Sequence, residues 1–279
     1  MSNKLISPYD IGKSADFSCQ YDQRFSYTTY VPAHIAHTNN MRNKLLVVIH
    51  GSGRNNQLIR DRFISFADRY GYILLSPLFP CGITDSEDRD SYKYFITDKV
   101  QYDQVLLAMI DEISDRLHLK IDNYFMFGFS GGAHFAHRFF YLHPDKISYL
   151  IIASPGSVTL IDTDKDWWVG LRNIEEKFDM VFNIESLKIP RIQLLVGEED
   201  LSTHEITHAP GDKYWMEDAN IAGATRVERC KSLFENFTKH GLNVDMEIVP
   251  GAAHDGNVIC SKAIEVFSQY IDGNVIDEI

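Results

Sequence analysis

The chain has 279 residues, a formal charge of −12 at pH 7 and 44% apolar side chains, enough to bury a sizeable core. No basic run or Lys/Arg stripe interrupts the acidity, which argues against nucleic acid and anionic membranes as partners. No stretch has the length of a signal-peptide core or a membrane span, so a cytoplasmic protein is expected, although an exported form with its leader removed would read the same way. Oligomeric state is not written in the sequence. Cys19, Cys81, Cys230 and Cys260 are dispersed and form no CxxC, so free thiols are expected.

In chain order, "FSYTTYVP" (25–32) alternates like a half-exposed edge strand. "KLLVVIH" (44–50) and "YILLSP" (72–77) are short continuous apolar runs, as in strands covered on both faces. Between them, residues 56–70 carry apolar side chains at helical spacing and stop before Gly71. A long polar loop, 79–95, follows. Residues 101–118 predict a helix, "YFMFGF" (124–129) a strand, and the stretch after Ser130 a helix that stops at Pro144. "SYLIIAS" (148–154), "IQLLVG" (192–197) and "VDMEIVP" (244–250) read as further buried strands, with helices over 224–241 and 257–273. Strand–helix alternation of this kind predicts an α/β fold with a mostly parallel sheet. No repeat or linker divides the chain, so one domain is expected. The connection 156–189 is too long for a simple loop and reads as an inserted lid.

The stretch "GFSGG" (128–132) matches G-x-S-x-G between a strand and a helix. A turn that sharp has no room for flanking side chains and exposes the serine hydroxyl, with the Gly131 amide at the helix start as an oxyanion donor. Ser130 needs a base, and the base an orienting acid. "LLVGEED" offers Glu198, Glu199 and Asp200 after one strand, and "VPGAAHDG" offers His254 after the last. Asp200 is the expected acid. The glutamates, nearer the strand end, read as solvated turn residues. "HGSGRN" (50–55) supplies the second oxyanion donor. Ser52 is expected, with Gly51 and Gly53 as alternatives, and His50 as a residue that ties the loop down.

Together "HGSGRN", "GFSGGAHFAHRF", "ASPGSVT", "VGEED" and "PGAAHDG" resemble the α/β-hydrolase superfamily over roughly residues 25–272. Within it they look most like the esterases of the polyhydroxybutyrate-depolymerase-like and feruloyl-esterase-like group. The resemblance implies the α/β-hydrolase fold. It implies Ser130 as nucleophile, Asp200 as acid, His254 as base, and the amides of Ser52 and Gly131 as oxyanion hole. No cofactor or metal is required, and the expected partner is a small or medium-sized ester. A peptidase, a thioesterase or an acyltransferase of the same fold remains open.

"HEITH" (204–208) matches the zinc-peptidase signature H-E-x-x-H, but Ala209-Pro210-Gly211 cuts short the helix it needs. A binding scaffold without activity is the other alternative, and it has no need of all three of Ser130, Asp200 and His254. His134 and His137 are expected to pack and hydrogen-bond behind the site, and Arg138 to pair with an acid. Trp167, Trp168 and Tyr92 are candidate substrate contacts. The adjacent tryptophans cannot both face inward from a regular element.

Overall fold

The computed structural model describes residues 6–35, 42–95, 97 and 99–276. Residues 1–5, part of the sequence expected to lack a signal-peptide core, lie outside the described residues. Among the described residues are nine strands: β1 Gly12–Lys13, β2 Phe17–Ser18, β3 Ser26–Val31, β4 Leu45–Ile49, β5 Ile73–Leu78, β6 Tyr124–Phe129, β7 Ile147–Ala153, β8 Arg191–Gly197 and β9 Val244–Val249. They form one sheet in the order β1-β3-β5-β4-β6-β7-β8-β9, with β2 also paired to β3. From β5 to β9 every neighbouring pair is parallel; β3 runs antiparallel to β5.

The helices are α1 Asn56–Arg62, α2 Ile64–Tyr70, α3 Ser91–Tyr94, α4 Tyr102–Leu117, α5 Gly131–Leu142, α6 Ile174–Phe178, α7 Arg226–Lys239 and α8 Gly256–Ile276. They lie on both faces of the sheet. Because side chains alternate along a strand, Leu46 and Val48 of β4 pack with α1, α2 and α8 residues such as Ile59, Phe66 and Phe267. Leu45, Val47 and Ile49 pack on the other face with α4, α5 and α7 residues such as Met109, Phe135 and Leu233. Burial on both faces is why these strands read as continuous apolar runs.

Two strand assignments change. β3 is not an edge strand: β1 and β2 pair with its outer side and four of its six residues are buried. Its alternating pattern reflects buried Thr28 and Thr29 rather than solvent. One edge is β9, in which Val249 alone is buried; its Asp245 and Glu247 mark the open side. The helix read over 56–70 is split at Phe63 into α1 and α2.

The connection 156–189 is irregular apart from α6 and a short 3₁₀ turn. Val158, Ile161, Trp167, Trp168, Leu171, Ile174 and Leu187 are buried in the core on the α4–α5–α7 side, and the Ile161 N–H donates to Asn236 Oδ1 of α7 at 2.8 Å. Among the described residues, no helix is long and apolar enough to cross a membrane.

Candidate active site

Ser52, Ser130, Gly131, Asp200 and His254 lie at the carboxyl ends of the parallel strands β4, β6, β8 and β9, where open α/β sheets present their clefts. Ser130 is the single residue between β6 and α5. Its φ of 56° and ψ of −120° lie outside the ordinary regions for a residue with a Cβ, and its N–H is held by the carbonyl of Ala153 at 2.9 Å. The glycines make the turn passable. A Cβ on Gly128 would lie 2.2 Å from the carbonyl oxygen of Gly132, and one on Gly132 would lie 2.3 Å from that of Ile49.

His254, on the loop from β9 to α8, directs Nε2 at Ser130 Oγ at 3.0 Å. Its Nδ1 meets Asp200 Oδ2 at 2.7 Å. A carboxylate only accepts, so Nδ1 carries the proton and Nε2 is left to accept from the serine. Asp200 is buried while His254 is exposed at the cavity, and the imidazole stacks on Phe129 with ring centroids 4.7 Å apart. Asp200 Oδ1 faces the Arg226 guanidinium at 3.4 Å. Glu198, exposed as expected, also accepts the Gly251 N–H at 3.0 Å, which ties the turn bearing the acid to the loop bearing the histidine.

The loop after β4 stands against the serine turn. The Ser52 amide nitrogen lies 3.1 Å from the position of a Cβ on Gly131, so these two amides are neighbours. His50 is buried; its Nε2 accepts the Phe79 N–H at 2.9 Å, and its Nδ1 therefore donates to the Gly51 carbonyl at 2.8 Å. Burial pushes the His50 pKa down to about 3, so the ring is neutral and keeps that tautomer. Arg54 clamps the far side, donating to the carbonyls of Ser52 at 2.6 Å and Phe79 at 3.2 Å, and also to that of Arg89. Its guanidinium lies over the Tyr92 ring at 4.7 Å.

A cavity of about 940 Å³ opens over this constellation, with Ser52, Ser130, Gly131 and His254 in its wall. Leu58, Ile59, Phe129 and Ile206 give it apolar surface.

No protein-family model matches the chain, and no curated protein matches it. Solved structures do. Poly(aspartic acid) hydrolase-1 from Sphingomonas sp. KT-1 superposes with a TM-score of 0.69 at 22% identity, over 86% of this chain and 92% of that one. LpqC, a poly(3-hydroxybutyrate) depolymerase from Bordetella parapertussis, gives 0.70 at 22% over 89% and 84%. An S-formylglutathione hydrolase from Agrobacterium tumefaciens gives 0.62 at 12% over 96% and 97%. The chain has the α/β-hydrolase fold.

Within this α/β-hydrolase fold the remaining expectations find their places. Trp167 and Trp168 are both buried, because the segment that carries them is irregular rather than a helix or strand. Their indole N–H groups donate to the carbonyls of Tyr94 and Tyr214, and neither ring is part of the cavity wall. Tyr92 lies beneath Gly131, where a Cβ would meet its hydroxyl at 2.5 Å. That hydroxyl is buried without a hydrogen-bond partner. HEITH forms a turn, with Glu205 at a φ of 66°, so His204 and His208 share no helix face. His208 meets the Tyr94 hydroxyl at 3.2 Å instead. Among the described residues no group of three or more His, Cys, Asp or Glu is placed to hold a metal ion.

His134 Nε2 accepts the N–H groups of Gly156 and Ser157, and His137 Nε2 accepts that of Thr159. Both imidazoles thus fasten the chain leaving β7; His137 does so behind the site, as expected, whereas His134 is also part of the cavity wall. Arg138 corrects the expectation of an acidic partner. It is fully buried and donates to Thr159 Oγ1, the Lys93 carbonyl and Ser157 Oγ. Its guanidinium lies over Tyr94 and Trp168. Arg226 was missed as a site residue. The pattern T-x-x-E at 225–228 does announce the helix start that carries it, but not that this start faces the cavity.

Proposed function

We propose that the protein is a serine hydrolase that cleaves a carboxylic ester through an acyl-enzyme on Ser130. The observation that carries the reading is the chain of contacts from Ser130 Oγ to His254 Nε2 at 3.0 Å and from His254 Nδ1 to Asp200 Oδ2 at 2.7 Å, with the serine on a turn that only the flanking glycines permit. Among the proteins of like fold are a poly(3-hydroxybutyrate) depolymerase and a ferulic acid esterase, which favours ester cleavage.

In this reading His254 takes the Ser130 proton as Oγ attacks the ester carbonyl. The tetrahedral oxyanion is met by the N–H groups of Ser52 and Gly131, donors fixed before the reaction begins. The imidazolium, held by Asp200, returns its proton to the leaving alcohol. Water then enters, His254 deprotonates it, and attack on the acyl-enzyme releases the acid and restores Ser130. Asp200 keeps the imidazole tautomer and offsets its positive charge.

The test is hydrolysis of p-nitrophenyl acetate and butyrate by wild type and Ser130→Ala, with and without a metal chelator, beside aminoacyl-p-nitroanilides. Wild type should hydrolyse the esters regardless of chelator and label with a fluorophosphonate, and Ser130→Ala should do neither. An active Ser130→Ala would end the reading; turnover of the anilides alone would make the enzyme a peptidase.

A further inference from the structure

Among the described residues, the wall of the cavity over Ser130 carries more cationic than acidic side chains, in a protein of net charge −12. The cations are Arg54, Arg62, Arg89, Lys93 and Arg226, and the acids Asp90 and Glu205. Asp90 is taken up by Lys93 at 2.5 Å. Arg54 is spent on backbone carbonyls. Arg226 is only 7% exposed, shares Asp200 with His254, and keeps its Nε buried without any hydrogen-bond partner. Arg62, beside the Cys260 thiol, and Arg89 have no carboxylate partner among the described residues.

Behind the wall stand two more guanidiniums. Arg138 is fully buried and Arg229 is 1% exposed. Both are satisfied by neutral acceptors, and neither meets a carboxylate within the described residues. Neither charge is therefore neutralised by a direct ion pair, and low-dielectric walls carry its field towards the cleft. Three helices also begin on this wall, at Gly131, Arg226 and Gly256, and each turns its positive end to the cavity. His134 is pushed well below its ordinary pKa and His208 down to about 4, first by burial and next by nearby Lys and Arg charges.

A buried charge left without a counter-ion is costly to a fold, and the missing counter-ion here is readily supplied by a ligand. Guanidinium groups match the planar, two-oxygen geometry of a carboxylate. The apolar wall of Leu58, Ile59 and Phe129 suits a short carbon chain. We propose, building on the ester-hydrolase reading above, that the preferred substrate is an ester carrying a free carboxylate, held by Arg62, Arg89 and Arg226 while its carbonyl lies over Ser130.

The test compares two esters of one chain length, mono-p-nitrophenyl adipate and its neutral methyl ester. At low ionic strength the anionic ester should show a kcat/KM at least tenfold higher. The ratio should fall towards one in 0.5 M salt, as exposed charges are screened. In Arg62→Gln and Arg89→Gln, singly and together, the ratio should fall as well. Misfolding would lower both rates alike, so the ratio isolates recognition, and the salt series on wild type tests it without any variant. A ratio of one or below at low salt, with both esters turned over, overturns the proposal and leaves the hydrolase reading standing. No turnover of either ester, and no fluorophosphonate labelling, removes both.

Discussion

His50 Nδ1 donates to the Gly51 carbonyl at 2.8 Å, and this bond helps to set the direction of the Ser52 N–H. In a trans peptide the C=O and the following N–H point opposite ways. A carbonyl turned back to His50 therefore turns the Ser52 N–H out, towards the serine turn. The Arg54 N–H holds the same carbonyl at 3.1 Å.

His50→Ala should accordingly lower kcat with little change in KM. The loss should be about tenfold to a hundredfold, below the hundred- to thousandfold typical of deleting a donor, because Arg54 still restrains the loop. His50→Asn, which offers an amide donor near the Nδ1 position, should recover part of it. Steady-state kinetics on one p-nitrophenyl ester decide. A rise in KM alone would mean that His50 shapes binding rather than the oxyanion hole.

The contacts among Ser130, His254 and Asp200 were legible because each residue is announced locally: Ser130 by its glycines, Asp200 and His254 by the apolar strands they follow. Their order along the chain matched the order of strand ends across the sheet. What could not be read came from distant packing. Nothing near Thr28 and Thr29 says that β1 and β2 will cover β3. Nothing in "DTDKDWW" says that an irregular turn will bury both tryptophans. The cationic wall is assembled from residues 54 to 226, and only the folded sheet brings them together.

Asp200→Asn should cost about 10⁴ in kcat, the size expected when the base is held in the wrong tautomer. An amide at position 200 can donate to His254 Nδ1 and so place the imidazole proton on Nε2, facing Ser130. Arg226 would lose its charged partner as well. Burst kinetics with a p-nitrophenyl ester should show slow acylation in this variant. A loss below tenfold would point to another acid.

The serine turn separates two kinds of glycine. Gly128→Ala and Gly132→Ala drive a Cβ into backbone carbonyls at 2.2 and 2.3 Å, which cannot yield without moving the strand or the helix. Both should lower the melting temperature by many degrees or prevent folding. At Gly131 the clash is with the Tyr92 hydroxyl and the Lys93 Cε, at 2.5 and 2.9 Å. Side-chain ends can move, so Gly131→Ala should fold. It should still lose activity, since its Cβ also presses on the Ser52 amide. Thermal melts beside initial rates would separate the two classes, and an inactive but stable Gly128→Ala would contradict the geometry.

Acid should weaken the fold through histidines that are buried neutral. His50 is pushed down to about 3 and His208 to about 4, chiefly by burial, and His134 and His137 are depressed in the same direction. An unfolded histidine titrates near 6.5. Between that value and the folded one, the unfolded chain binds more protons than the native protein, so stability rises with pH across the interval. The stabilisation is complete above about pH 6.5 and drains away as pH falls towards 4. Each such histidine contributes up to about 1.4 kcal/mol per pH unit there. Urea midpoints should hold between pH 7.5 and about 6.5, then fall steadily to pH 4.5, and more shallowly in His137→Gln, whose amide can still accept the Thr159 N–H without titrating. A midpoint independent of pH across that range would mean that these rings are solvated rather than locked in the core.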